Sequence, residues 1–171
     1  FAVLKRTAGG SEPSSWSGTL SATVKPVITQ VNAYRGCDTA ANQFIAEDTS
    51  QSGSGNSVTT GSVTNTDSRS WRISAFASSG DYYTSWSSSE VSERSDDSAE
   101  YRIDWFSYRT ATLSMSDSNG PVGTGSHSRT GTLARSYYAA ASWIGIIKAL
   151  PSAPAPGANE TERNDTTVGS S

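Results

Sequence analysis

The stretch Ser70-Trp71-Arg72-Ile73-Ser74-Ala75-Phe76-Ala77 decides the fold class. Trp71, Ile73 and Ala75 fall on one side of an extended chain, with Arg72 and Ser74 between them. Alternation with a period of two, built from aromatic, β-branched and hydroxyl residues, is the signature of a β-strand. We place this strand over 69–77 and read the rest of the chain outward from it.

Downstream, 78–98 is long and polar and reads as an irregular loop. Glu100 to Ala111 returns to strand character, with Tyr101, Ile103 and Trp105 on one side and Arg102, Asp104 and Phe106 on the other. Leu113 and Met115 extend it. Asp117-Ser118-Asn119-Gly120-Pro121 reads as a loop, and strands follow over 130–136 and 139–150. The last one departs from alternation, because Trp143, Ile144, Ile146 and Ile147 are apolar on both faces. Such a strand is either central between two packed layers or covered by a neighbouring chain. These four residues are therefore the candidate interface.

Upstream, 58–64 reads as a weak strand and 49–56 as a Ser/Gly-rich loop. Asn42 to Asp48 fits either a short strand or a helical turn. Val24 to Arg35 reads as a strand with Val27, Val31 and Ala33 on one side and Gln30, Asn32 and Tyr34 on the other. Strands over 1–8 and 15–22 flank the turn signal Gly9-Gly10-Ser11-Glu12-Pro13. The chain begins at Phe1 within the first of these, so upstream residues are expected to be missing. Beyond Leu150, Pro151-Ser152-Ala153-Pro154-Ala155-Pro156-Gly157 is linker composition, and 160–171 is a polar tail. The organisation expected is one β-sandwich domain over 1–150, N-terminally incomplete, and a Pro-rich linker and tail over 151–171.

Composition agrees. Ser and Thr fill 52 of 171 positions, against one His, one Cys and three Lys. An apolar share of 34% suits a sandwich, in which each strand buries one face and leaves the other to hydroxyls and charge. The net charge is only -3, and the arginines are scattered singly among acids, which argues against nucleic acid as a partner. No run approaches the roughly 20 apolar residues of a membrane-spanning helix. Cys37, alone, gives neither a disulfide framework nor a metal-ligand set.

Groups capable of chemistry are few. His127 lies between Ser126 and Ser128, away from any nucleophile elbow, and reads as a solvated side chain. Asp96 and Asp97 with Glu90, Glu93 and Glu100 form the acidic cluster of the chain. Two carboxylates at fixed separation would serve a glycosidase, but neighbours in a loop supply no such geometry. Calcium is the better functional reading of that cluster and of Asp117-x-Asn119-Gly120, although both ligand sets are incomplete, and solvated loops are the simpler account. No catalytic residue, metal site or cofactor is assigned. Asn159-Glu160-Thr161 and Asn164-Asp165-Thr166 match the glycosylation sequon, as a Thr-rich tail does by chance. The best ligand-binding candidate is the loop Gly80-Asp81-Tyr82-Tyr83-Thr84-Ser85-Trp86. Asp81, Tyr82, Tyr83 and Trp86 there have the chemistry to stack on sugar faces or anchor a protein contact, unless the rings fold back over the sandwich. Tyr137-Tyr138 is a weaker case of the same kind.

Three stretches together resemble a known module: 5–16 with its Ser11-Glu12-Pro13 turn, Ala33-Tyr34-Arg35-Gly36-Cys37-Asp38, and Ala141-Ser142-Trp143-Ile144 with Ala149-Leu150. They are similar to a β-sandwich module of tailed-bacteriophage structural proteins, above all minor tail proteins of phages infecting actinobacteria. The resemblance spans nearly all of 1–150. Its motifs encode turns and strand ends rather than a reaction, and it carries over no catalytic residues. It implies an antiparallel β-sandwich, jelly-roll-like or immunoglobulin-like, acting as a minor tail protein or capsid-surface decoration. The implied partners are other virion proteins, copies of the chain itself and a host-surface glycan, with no nucleic acid and no membrane insertion. A free thiol fits a protein folded in a reducing cytoplasm and exposed later on a virion. Two departures stand out: the family pattern has further strands before the position of Phe1, and the tyrosine-rich 80–86 loop is foreign to it. The alternative from another class is a secreted carbohydrate-binding module, and a tail-associated glycan hydrolase would need paired carboxylates in a cleft.

Overall fold

A computed structural model describes residues 1–9, 11, 13–15, 17–19, 26–38, 43–80, 86–88, 92–103, 105, 108–150 and 157–158. Their strands are β1 (Tyr34–Arg35), β2 (Phe44–Ser52), β3 (Gly55–Thr59), β4 (Val63–Asn65), β5 (Trp71–Gly80) and β6 (Trp86–Ser88). They continue with β7 (Ser92–Arg102), β8 (Tyr108–Pro121), β9 (Gly125–His127), β10 (Thr130–Tyr137), β11 (Ala139–Ile147) and β12 (Gly157–Ala158). Every pairing is antiparallel. The main sheet runs β2-β11-β5-β8-β7, a second runs β3-β10-β6, and β4-β9 and β1-β12 form two-stranded pairs. The all-β, antiparallel sandwich expected from the sequence is the fold found.

β5, the strand that opened the reading, is the middle strand of the main sheet, and Trp71 through Phe76 are buried on both faces. On one face Phe76 joins Val58, Trp86, Leu133, Tyr137 and Ala140 in a core shared with the three-stranded sheet. Further along that face Val63 of β4 packs with Val122, Ile144 and Ile146, flanked by Ile45 and Ala46. Phe76 owes its position to small neighbours. Ser114 and Ser142 stand opposite it on the two flanking strands, and a Cβ added at Gly131 would lie 2.6 Å from its ring. The hydroxyls of Ser114 and Ser142 have no partner, so room for the ring is obtained at a polar cost. Nearby hydroxyls are satisfied: Ser74 and Ser116 share a bond of 3.1 Å, and Ser78 and Thr112 one of 2.6 Å.

The two layers are joined by one bent ribbon. β2 passes to β3 through Gly53 and Ser54, and β10 passes to β11 through Tyr138. Because β2 pairs with β11 and β3 pairs with β10, the antiparallel ribbon crosses from one sheet to the other as a unit. The Tyr137 hydroxyl donates to the Ser57 carbonyl at 2.6 Å near that corner.

The opposite face of the main sheet is met, among the described residues, by N-terminal segments that include β1 of the β1-β12 pair. Val3, Tyr34, Cys37, Phe44 and Met115 pack on Ile73, Ala75, Trp143 and Ile147. Within 26–35, strand structure is confined to Tyr34–Arg35, yet the alternation expected there is present. Val27 and Val31 are exposed. The Gln30 amide donates to the Leu113 carbonyl (2.9 Å), the Asn32 amide to Met115 Sδ (3.0 Å) and the Tyr34 hydroxyl to Asp117 Oδ2 (3.0 Å). Every second residue of this strap thus meets every second residue of β8. The strap lies face-on and is held by polar tips, which is why its polar side turns inward. β12 pairs with β1, so the linker composition beyond Leu150 returns to the fold at Gly157–Ala158.

Other expectations are corrected. Residues 1–9 contain no strand, nor do the described residues within 15–22. The loop read over 49–56 shrinks to Gly53 and Ser54. Much of 78–98 is strand, because β7 is a sheet edge where both faces tolerate polar side chains. The continuous strand read over 100–111 is instead a hairpin, β7 turning into β8 between Arg102 and Tyr108. The loop read over 117–121 is the end of β8, with Asn119 at φ 48° where its pairing shifts. The first of the two readings of Trp143–Ile147 describes it: the strand is central, and all four apolar residues are buried by the chain's own layers.

Candidate functional site

The hairpin β7–β8 ends in a cluster of exposed aromatics. Arg102 stands opposite Tyr108 and Tyr101 opposite Arg109, after which the strands part. Beyond that point Ile103 and Trp105 lie outside the strands, and their apolar side chains reach solvent. Trp105 is 81% exposed and Ile103 51%, and Tyr101 and Tyr108 are also exposed. Arginines lie on the rings. The Arg102 guanidinium is 4.6 Å from the centre of Trp105 and 6.0 Å from that of Tyr108, and it donates to the Trp105 carbonyl at 3.4 Å. Arg109 sits 5.4 Å from the ring of Tyr138, which is exposed as well. Tyr138 belongs to the same end, because its N–H donates to Ser79 next to the point where Gly80 faces Thr110. The chain leaves β5 at this end, immediately before the loop singled out from sequence.

Of that loop, Asp81, Tyr82 and Tyr83 lie outside the described residues. Trp86 is a correction. It is 3% exposed, 5.6 Å from Phe76 and 6.3 Å from Tyr137 by ring centres, and belongs to the core. The Trp86 backbone N–H donates to Asp96 Oδ2 at 3.0 Å, one role for a carboxylate of the acidic cluster. Tyr137 is buried while Tyr138 is exposed, so the pair divides between core and surface. The candidate interface of Trp143, Ile144, Ile146 and Ile147 offers no surface to a second copy, being buried within the fold. The hairpin residues escaped notice because 100–111 obeys strand alternation. The adjacency of Trp105 and Phe106, two aromatics in a row, was the available signal that the period breaks there.

The ionisable groups hold the fold. Asp117 is wholly buried and takes a forked pair from Arg94, Nε to Oδ2 at 2.6 Å and Nη2 to Oδ1 at 2.8 Å. Tyr34 and the Asn119 N–H complete its shell, so the fragment read as a calcium loop already has its cation. Burial, then the neighbouring Asp117 carboxylate, push the Tyr34 phenol well above its ordinary value. Burial also pushes the Cys37 thiol up to about 11, the state of an inert thiol rather than a nucleophile. Hydrogen bonds from Arg69 hold Asp67 below the usual carboxylate range. His127 is not a solvated loop residue: it ends β9, with Nδ1 2.9 Å from the buried Arg72 guanidinium and Nε2 2.8 Å from the Gly123 carbonyl. An arginine can only donate, so Nδ1 accepts and Nε2 carries the proton. Among the described residues no three His, Cys, Asp or Glu side chains come together as a metal site. No family model, curated protein or solved structure matches the chain.

Proposed function

We propose that this chain is a non-enzymatic structural and adhesive module of a tailed-bacteriophage virion, a minor tail protein or capsid-surface decoration. It acts by contact through its aromatic end. The observation that carries this reading is the gathering of Trp105, Ile103, Tyr101, Tyr108 and Tyr138, all exposed, at one end of a well-packed sheet. Apolar residues collected in one place mark a contact surface, whereas single exposed ones do not. The virion setting comes from the resemblance of the Ser11-Glu12-Pro13 turn and the two strand ends. The non-enzymatic part is supported by the engagement of Asp117, Asp67 and His127 in the architecture. Partners on this reading are other virion proteins, copies of the chain and a host-surface glycan.

The test is immunogold electron microscopy of purified particles with an antibody against the chain. Label at the tail or capsid surface is expected. Particles without label, and the chain free in the culture fluid, would overturn the virion setting. The exposure of Trp105 also favours a second reading, a secreted carbohydrate-binding module. That module would be monomeric and free of particles, which light scattering and the same labelling distinguish.

A further inference from the structure

We propose that Asn119–Gly120 is a self-modification site, at which the Asn119 side chain loses its amide to the Gly120 nitrogen and the product acts on the buried ion pair of Arg94 and Asp117. Asn-Gly occurs once in the chain. Asn119 is exposed and holds φ 48°, a left-handed conformation that few residues besides glycine and asparagine tolerate. Between Asp117 and Pro121 the register with β5 lapses, so Ser118, Asn119 and Gly120 have no ladder partner on that strand. Gly120 has no Cβ to screen its nitrogen, and a Cβ placed there would meet nothing within 4 Å. The pair therefore has room to turn the Gly120 nitrogen onto Cγ of Asn119.

A guanidinium already sits on the carbonyl to be attacked: Arg94 Nη2 donates to Asn119 Oδ1 at 3.0 Å. It draws electrons from Cγ and stabilises the oxyanion that forms there. The Gly120 nitrogen bonds to Cγ, the Cγ–Nδ2 bond breaks, and ammonia leaves with the Gly120 proton. Water then opens the cyclic imide and returns a proton to Gly120. Opening at Cγ leaves aspartate; opening at the backbone carbonyl carbon leaves isoaspartate, whose main chain runs through the side-chain carbon. Aspartate sets a second carboxylate on Arg94, whose Nε and Nη2 fork onto Asp117 at 2.6 and 2.8 Å. Isoaspartate instead adds a carbon to the main chain between two anchored groups. These are the Asn119 N–H, which donates to Asp117 Oδ1 at 2.8 Å, and the Gly120 carbonyl, which accepts from Ser118. The first product adds to the ion pair, and the second stretches the turn that completes its shell.

The experiment ages the purified chain at physiological temperature and follows it by peptide mapping with mass spectrometry, isoaspartate-specific carboxyl methylation and ion exchange. Residue 119 should gain the mass of an amide turned to an acid before any other asparagine does, and methylation should label its peptide. Gly120→Ala, which has room for its methyl group, should unfold at the parent's urea midpoint and lose the amide about tenfold more slowly. Asn119→Gln should keep its amide over the same time. The aged aspartate form, and an Asn119→Asp variant made directly, should unfold at or above the parent's midpoint, and the isoaspartate form below it. An Asn119 amide that outlasts the other asparagines, or a Gly120→Ala chain that ages as fast as the parent, would overturn the site. Equal midpoints for the two aged forms would overturn its action on the ion pair.

Discussion

Three separate segments converge on Asp117, since β7, the strap and the irregular end of β8 all bond its carboxylate. Replacing Arg94 by Met leaves that charge buried and unpaired, so stability should fall by about 3–5 kcal/mol in urea titration. Asp117→Asn added to Arg94→Met should recover a measurable part, because the uncompensated charge is then gone. A second consequence concerns alkaline pH. The Cys37 thiol is pushed up to about 11 and the Tyr34 phenol is raised above its ordinary value. Both groups ionise more readily in the unfolded chain, so their contribution is complete below about pH 8.5 and is lost as pH rises through the folded-state values. Urea midpoints should fall from about pH 9 upward, and Cys37→Ser should delay the onset. Asp117 was not legible in this role: it resembled a metal ligand because its cation partner lies 23 positions away in sequence.

At the scale of the element, β5 was legible because Trp71, Ile73 and Ala75 alternate with Arg72 and Ser74 at the period of a strand. Its fit against β10 was not, since that depends on which small residues meet Phe76. Gly131→Ala places a methyl 2.6 Å from the Phe76 ring and should cost about 1–3 kcal/mol by chemical denaturation. Combining it with Phe76→Leu should restore part of that loss, which a double-mutant cycle would read directly. Two elements were misread for opposite reasons. β7 was taken for a loop because an edge strand of Ser, Asp and Glu shows no apolar face. The strap reads as a long strand over 24–35, but strand structure there is confined to Tyr34–Arg35, because the segment is held by the polar tips of Gln30, Asn32 and Tyr34 rather than by a ladder.

At the scale of the whole molecule, composition and alternation sufficed for the sandwich, but the aromatic end is a product of topology. Tyr101 through Tyr108 come from one hairpin and Tyr138 from the bent ribbon, and only the sheet brings them to the same end. Topology also brings the strap's exit beside the end of β11. The Asp38 N–H donates to the Lys148 carbonyl at 2.8 Å, the Leu150 N–H to the Gly36 carbonyl at 3.3 Å, and Lys148 pairs with Asp38. Beyond this clasp, β2 and β11 run antiparallel from Phe44 and Ile147. Tension drawing residues 36–38 away from 148–150 therefore loads these bonds one after another, as in a zip, rather than all at once as in a lap joint. The module yields first at its clasp, and the sheets and the aromatic end keep their shape while the flanks lengthen.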